Sequence, residues 1–371
     1  MSTGPGGWPG GWARRAGIAG AALGAVAAGV AVERLTVHRA VRRRARLSLD
    51  AAGPFGTLRG TPGTAVAEDG TRLAYEVDAP GAAGGSGPTV VFSHGYCLTQ
   101  DSWHFQRAAL RERGTVRAVY WDQRGHGRSE RSRPPGAQAP APAGIERLGR
   151  DLKAVLEAAV PAGHPVVLVG HSMGGMTMMA LAAQYPDWVR EHVVGAAFVS
   201  TSPGRLTDVT YGLPAAGVRA VRRVLPGVLG VLSAHSALVE RGRAAGADLL
   251  AGLVRHYSFG APRAVDPAVA RFAERLIEGT PIDVVAEFYP AFTAHEQTAA
   301  LAAFGSCANL VVTGARDQLT PHRHSEAIAA ELPGAELHVL PETGHLLMLE
   351  RPGELTALVD RLLSRAGAAR A

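Results

Sequence analysis

Short apolar runs rich in β-branched residues recur along the chain from residue 72 onward, and stretches of helical periodicity separate several of them. Runs of this kind, bounded by glycine, proline and polar residues, are typical of buried strands. Strands that alternate with helices form a mostly parallel sheet with helices on both faces. We therefore predict an α/β fold with strands at Arg72–Val77, Thr89–Phe92, Val116–Trp121, Pro165–Val169, Val193–Val199, Asn309–Thr313 and Glu336–Leu340.

The helical pattern is clearest near the C-terminus. Apolar residues there follow the i, i+3, i+4, i+7, i+8 spacing, at Leu355, Leu358, Val359, Leu362 and Leu363. This spacing places the five side chains on one face of a helix. We expect that face to pack on the sheet.

One long interval breaks the alternation of strands and helices. Between Ser200 and Asn309 the pattern is helical over roughly a hundred residues, which is too long for a simple loop and indicates a cap inserted into the core. The residues before the first predicted strand are rich in Gly, Ala, Pro and Thr, as in a linker. The predicted organisation is an N-terminal segment over 1–50, a linker over 51–64, an α/β core over 65–203 and 307–365, and a helical cap over 204–306.

Residues 16–32 contain no charged or strongly polar side chain. As a helix they would span roughly 26 Å, slightly less than the hydrocarbon core of a bilayer. More arginines follow this run than precede it, which favours an uncleaved membrane anchor in contact with the lipid bilayer and a catalytic domain facing the cytoplasm. Two alternatives stay open: a soluble or peripheral helix on a cytoplasmic protein, and a cleaved signal peptide on an exported one.

The positive charge is confined to the N-terminal segment. The first fifty residues hold eight arginines against one glutamate and one aspartate, which accounts for the whole formal net charge of +6. Positive and negative residues are equal in number over the rest of the chain. A basic patch spread over the domain, as nucleic-acid binding requires, is therefore not expected, and we predict no nucleic-acid partner.

A candidate nucleophile follows the strand Pro165–Val169. The next residues are Gly170-His171-Ser172-Met173-Gly174, and a helix-forming run comes after them. Strand, sharp turn and helix in this order is the context in which G-x-S-x-G exposes a serine hydroxyl. We interpret Ser172 as a nucleophile. The alternative is a glycine-rich turn that carries an inert serine.

A serine nucleophile needs a base, and the base needs an acid that holds its imidazole. Asp317 comes just after the strand Asn309–Thr313, and His345 comes just after Glu336–Leu340. Catalytic groups of open α/β sheets gather at the carboxyl ends of the strands. We therefore predict a catalytic triad of Ser172, Asp317 and His345, with Glu342 as a less favoured acid.

Several further blocks accompany this triad, and together they resemble the α/β-hydrolase superfamily over roughly residues 65–365. The blocks are Ser93-His94-Gly95-Tyr96, Asp122-Gln123-Arg124-Gly125-His126-Gly127-Arg128-Ser129, GHSMGG from Gly170, GARD from Gly314, and Gly344-His345. The resemblance is to serine hydrolases of the esterase type with a cap. It implies an oxyanion hole formed by the backbone N–H groups of Tyr96 and Met173, a structural turn at 122–129, and no cofactor.

The resemblance also implies the reaction. We expect hydrolysis of a carboxylic ester, or a lipid ester, through an acyl-enzyme on Ser172. The alternatives are a carbon–carbon bond hydrolase, a cofactor-free haloperoxidase or perhydrolase, and a non-catalytic ligand-binding protein of the same fold. His322 and His324 have no Asp, Glu or Cys ligand pattern around them, so we predict no metal site.

Overall fold

The computed structural model describes residues 47–51, 54–81, 87–131, 144–210, 214–235 and 252–368. The chain divides into two units, Met1–Ala52 and Gly53–Ala371. In the first unit, the described residues 47–51 are helical. All other described residues belong to the second unit.

An eight-stranded sheet forms the centre of the second unit. Its strands are β1 (Thr61–Val66), β2 (Arg72–Asp78), β3 (Thr89–Ser93), β4 (Ala118–Trp121), β5 (Val166–His171), β6 (Val193–Val199), β7 (Ala308–Gly314) and β8 (Glu336–Leu340). Their spatial order is β1-β2-β4-β3-β5-β6-β7-β8. β1 and β2 pair antiparallel with their neighbours, whereas all pairs from β4 to β8 are parallel. The sheet is thus mostly parallel, as the alternation of strands and helices predicts.

Helices connect the strands and cover the sheet. They are α1 (His104–Arg113), α2 (Ile145–Ala159), α3 (Met173–Gln184), α4 (Pro186–His192), α5 (Ala215–Ala234), α6 (Pro267–Glu278), α7 (Ile282–Ala294), α8 (His322–Glu331), α9 (Leu347–Glu350) and α10 (Pro352–Ala368). Residues 252–258 are also helical, and short 3-10 helices lie at Gln100–Trp103, Leu206–Asp208 and Thr298–Phe304.

The central strands of the sheet are buried on both faces. Along β5, Val167 and Val169 belong to one apolar cluster, whereas Val166 and Leu168 belong to another, and all four are fully buried. Successive side chains of a strand point to opposite faces, so the two clusters are the two sides of the sheet. The apolar face of α10 packs in the first cluster, as its periodicity predicts.

The predicted strands are all present, with ends that differ by at most two residues. β1 has no predicted counterpart, because it begins at Thr61 inside the segment 51–64 that we interpret as a linker. Pro62 and Gly63 suggest a turn, but β1 lies at the edge of the sheet. An edge strand tolerates a proline, since one side of its backbone has no partner strand.

The chain leaves the core after β6 and returns before β7 through a helical segment. An isolated bridge pairs Gly204 with Glu296, and α5, the helix over 252–258, α6 and α7 lie between these two residues. We name residues 204–296 the insert. The bridge brings the two ends of the insert together. The division into an α/β core and a cap over 204–306 stays a prediction.

The predicted membrane anchor is wrong. No helix among the described residues is long and apolar enough to cross a membrane. Residues 16–32 lie outside the described residues, and the run consists mostly of Ala and Gly, whose transfer into a bilayer is much less favourable than that of leucine. We therefore withdraw the transmembrane helix, the bilayer as partner and the membrane-anchored location facing the cytoplasm.

Candidate active site

Ser172 occupies the sharp turn between β5 and α3. Its backbone has φ 50° and ψ −117°, a conformation that residues with a Cβ rarely adopt. The surrounding structure holds this strained turn, because the Ser172 N–H donates to the Val199 carbonyl at 2.9 Å. A Cβ on Gly174 would lie 2.1 Å from the carbonyl oxygen of Ser93, so only glycine fits there. The G-x-S-x-G segment therefore adopts the strand–turn–helix arrangement that its sequence predicts.

Asp317 and His345 form a buried hydrogen-bonded pair. Nδ1 of His345 lies 2.8 Å from Oδ2 of Asp317, and the two residues are only 6% and 4% exposed. They follow β8 and β7, which are parallel neighbours in the sheet. A carboxylate at Nδ1 keeps the proton on that nitrogen and leaves Nε2 free to accept a proton from another group.

A cavity of about 430 Å³ between the core and the insert is lined by both Ser172 and His345. Asp317 does not line it and lies behind His345. Among the residues that the structure describes, the cavity lining contains no Asp, Glu, Lys or Arg. Its apolar and aromatic members are Tyr96, Leu98, Met176, Leu206, Val218, Tyr257, Ile277, Tyr289, Phe292, Leu319 and Leu346. The structure therefore places two of the predicted triad residues, Ser172 and His345, at one cavity, and the third, Asp317, against His345.

The two residues predicted for the oxyanion hole lie beside Ser172. Met173 is the first residue of α3, so its amide is among those that have no acceptor within the helix. Tyr96 follows Gly95, which packs tightly on the turn: a Cβ on Gly95 would lie 2.5 Å from Nδ1 of His171 and 3.2 Å from Cβ of Ser172. The loop that carries Tyr96 thus passes directly against the turn that carries Ser172.

A model of the alpha/beta hydrolase family matches residues 90–358. The chain belongs to this family. The predicted fold and the predicted hydrolase class are thereby confirmed. The described part of this hydrolase shows the expected arrangement of a mostly parallel sheet, flanking helices and a helical insertion.

Three similar proteins illustrate the range of the family. This hydrolase is 30% identical over 297 residues to the dihydrolipoyllysine-residue acetyltransferase component of the acetoin cleaving system of Cupriavidus necator. The aligned region covers 80% of this chain and 67% of that protein. It is 29% identical to the pimeloyl-[acyl-carrier protein] methyl ester esterase of Chromobacterium violaceum, over 76% of this chain and 97% of that one. The structure of a thermophilic esterase from Thermogutta terrifontis superposes with a TM-score of 0.62 and 24% identity, covering 82% of this chain and 98% of the esterase.

The segment 122–129 braces the loop that carries Tyr96. Nε2 of His126 accepts from the Cys97 N–H at 3.2 Å, and Oδ1 of Asp122 accepts from the Gln100 N–H at 2.8 Å. Nε2 of His94 in turn accepts from the Gln123 N–H at 2.9 Å. These contacts support the structural role that the resemblance implies for this segment.

The histidines of this framework act as neutral hydrogen-bonding groups. Burial lowers the pKa of His94 to about 4. Burial, together with the neighbouring His94, lowers the pKa of His126 to about 3. A neutral imidazole keeps one bare nitrogen, which is what allows each ring to accept a backbone N–H.

Sequence reasoning missed Thr320, which lies next to the Asp317–His345 pair. Its hydroxyl donates to Oδ2 of Asp317 at 2.9 Å, and its N–H donates to Oδ1 at 2.9 Å. The Leu319 N–H donates to the same Oδ1 at 2.9 Å. An aspartate that accepts from backbone amides two and three residues later is a local turn pattern, so the D-x-x-T spacing was the available signal.

The less favoured acid Glu342 and two carboxylates of the insert, Asp283 and Glu287, lie outside the cavity lining. Glu342 forms an exposed ion pair with Arg316 at 2.5 Å. Asp283 pairs with Arg131, and Glu287 is half-buried, with a pKa that burial raises. None of the three carboxylates lines the cavity.

His322 and His324 do not share a site in the structure. Nδ1 of His324 contacts Oγ of Ser202 at 2.9 Å in the buried interior, whereas His322 is exposed beside Glu326. Within the described residues, His, Cys, Asp and Glu side chains form no group of three or more that could hold a metal ion.

Proposed function

We propose that this hydrolase cleaves a carboxylic ester through a Ser-His-Asp triad and an acyl-enzyme. The observation that carries the proposal is the cavity that Ser172 and His345 line together, with Nδ1 of His345 held by Asp317. Geometry of this kind supplies a nucleophile and a base at one surface, and a carboxylate behind the base that orients it.

In the proposed mechanism, Oγ of Ser172 attacks the ester carbonyl while Nε2 of His345 takes its proton. The buried carboxylate of Asp317 stabilises the imidazolium that forms. The N–H groups of Tyr96 and Met173 bind the oxyanion of the tetrahedral intermediate. His345 then gives its proton to the leaving alcohol, and afterwards takes a proton from the water that hydrolyses the acyl-enzyme.

The relatives support an ester as the substrate, because they include a named methyl ester esterase that aligns over nearly its whole length. The described lining of the cavity supports an uncharged acyl group, since none of these residues carries a charge that could pair with a buried charged group. A non-catalytic binding protein would have no need for the strained Ser172 turn or for the buried Asp317–His345 pair.

A fluorophosphonate probe tests the nucleophile, because it forms a covalent bond with an activated serine. We expect the full chain to be labelled at Ser172 and the Ser172→Ala variant to remain unlabelled and to lose turnover of p-nitrophenyl butyrate. Ser258→Ala is the matched control, since Ser258 lines the same cavity and should leave labelling intact. Labelling of Ser172→Ala at the wild-type rate would overturn the assignment.

A further inference from the structure

Glu350, at the end of α9, accepts hydrogen bonds from two separate loops. Its Oε2 accepts from the Gly344 N–H at 2.7 Å. Its Oε1 accepts from the Ala261 N–H at 3.0 Å, and the Gly260 N–H lies 3.1 Å from both oxygens. Gly344 directly precedes His345, whereas Gly260 and Ala261 belong to the insert. One carboxylate therefore joins the loop that carries the proposed base to the insert.

The two loops also pack backbone against backbone. A Cβ on Gly344 would lie 2.5 Å from the backbone nitrogen of Gly260, and a Cβ on Gly260 would lie 2.5 Å from the carbonyl carbon of Thr343. On the other side of His345, the Leu346 N–H donates to the Ser258 carbonyl at 2.9 Å. His345 is thus held on both sides, through Gly344 by Glu350 and through Leu346 by Ser258.

The stretch of the insert that Glu350 holds also borders the cavity. Tyr257 and Ser258 line the cavity, and Gly260 follows two residues later. Hydrogen bonds from amides to a carboxylate are stronger than those to a neutral acceptor, so Glu350 holds the two loops more firmly than an amide side chain would.

We propose that Glu350 is a positioning residue that fixes the backbone at Gly344 and with it the imidazole of His345, while it fastens the insert to the same loop. This inference rests on the proposed role of His345 as the base. Sub-ångström placement of that imidazole decides how well its Nε2 meets the Ser172 hydroxyl, and a displacement of about 1 Å costs on the order of a hundredfold in rate.

The test compares Glu350→Gln with wild type. Glutamine has nearly the same shape as glutamate, but its NH2 group is a donor. This group cannot accept a hydrogen bond from the backbone N–H groups that it would face. Titration with the fluorophosphonate probe counts the protein molecules that have a reactive serine, and kcat is expressed per such molecule. We expect this kcat to fall at least about tenfold, with KM changed by less than about threefold. Glu354→Gln is the matched control, because Glu354 is an exposed carboxylate of the neighbouring helix and should leave both constants unchanged. A wild-type kcat per titrated site in Glu350→Gln would overturn the inference and leave the proposed function standing.

Hydrogen exchange gives a readout that does not depend on catalysis. In Glu350→Gln we expect faster exchange of the amides of 258–261 and 343–346, with the central strands unchanged. Unchanged exchange in these two segments would contradict the inference, even in a protein whose proposed function had failed the labelling test. If Glu350→Gln does not fold, Glu350→Asp keeps the charge on a shorter side chain and is measured in the same two ways.

Discussion

Nε2 of His171 lies 3.0 Å from the carbonyl oxygen of His345, and the two imidazole rings are 4.8 Å apart. A carbonyl oxygen only accepts, so Nε2 of His171 carries the proton of this ring. Burial, with the nearby His345, lowers the pKa of His171 well below its usual value and keeps the ring neutral. The residue before the proposed nucleophile therefore holds the backbone of the proposed base.

Three buried neutral histidines, His94, His126 and His171, predict a protein that loses stability in mild acid. Unfolded histidines take up a proton near about pH 6.5. In the folded state, His94 does so only near pH 4 and His126 near pH 3. Between these values the unfolded chain binds more protons, so the free energy of unfolding falls as the pH falls, by about 1.4 kcal/mol per pH unit for each histidine.

Urea unfolding of wild type and His126→Gln between about pH 6.5 and about pH 4.5 checks this prediction. The variant should show a smaller pH slope by about 1.4 kcal/mol per unit, because it lacks one of the groups that take up a proton on unfolding. Comparing slopes removes the contribution of carboxylates, which both proteins share. Equal slopes would show that His126 does not stay neutral in the folded state.

We predict that the hydroxyl of Thr320 contributes to catalysis through its hydrogen bond to Asp317. Its hydroxyl donates to the same oxygen of Asp317 that accepts from His345. Thr320→Val keeps the shape but removes this donor, and loss of a hydrogen bond to a charged group is expected to lower kcat about tenfold to a hundredfold. Thr320→Ser is the control, because it restores the donor. Ester kinetics in which the valine and serine variants behave alike would contradict this role.

The positions of the proposed triad could be predicted from the sequence, because each of its three residues lies in a local pattern. Ser172 lies in a strand–turn–helix motif, and Asp317 and His345 each follow a strand that its apolar run predicts. Parallel strands end at one edge of the sheet, so three local patterns were enough to predict that these residues meet.

Contacts between segments that are far apart in the chain leave no local pattern in the sequence. Glu350 accepts from amides of residues about ninety positions earlier, and the Leu346–Ser258 bond joins the same two regions. Such contacts depend on how the insert folds back on the core. The edge strand β1 was not predicted, because its local sequence is misleading. Pro62 and Gly63 are typical of turns, whereas the pairing with β2 makes this segment a strand.

The side chain of Tyr96 joins the proposed oxyanion loop to α7 of the insert, and we predict that this contact affects both stability and substrate binding. Its phenol O–H donates to the carbonyl of Val285, and its ring centroid lies 4.9 Å from that of Phe292. Tyr96→Phe keeps the ring contacts and removes the hydrogen bond, which should lower the free energy of unfolding by about 1 kcal/mol. Because α7 also borders the cavity, we expect a rise of a few fold in the KM of p-nitrophenyl butyrate.

Tyr75→Phe is the matched control for this variant. The Tyr75 hydroxyl, in β2, makes an exposed hydrogen bond to the Ala158 carbonyl of α2 at 3.3 Å, and both residues lie outside the insert. Its loss should change the free energy of unfolding by less than about 0.5 kcal/mol and leave KM unaltered. Denaturant unfolding and ester kinetics that are equal for the two variants would contradict the link.

The cavity predicts how the rate depends on the acyl chain. Each methylene buried against its apolar lining should raise kcat/KM about fourfold, until the cavity of about 430 Å³ is filled. A p-nitrophenyl ester series from acetate upward measures this slope. An acyl chain that ends in a carboxylate should react at least about tenfold more slowly than a neutral chain of equal length, because no lining residue in the described part of the chain is a charged partner for it.

Ile277→Phe locates the effect in the cavity, since Ile277 lies in its lining and belongs to the insert. The larger side chain fills part of the space, so the longest accepted chain should become shorter while the rate with acetate stays the same. A variant that slows all esters equally would place the damage at the triad. One that leaves the whole series unchanged would mean that the acyl chain does not enter this cavity, and that the insert selects substrates through its other faces.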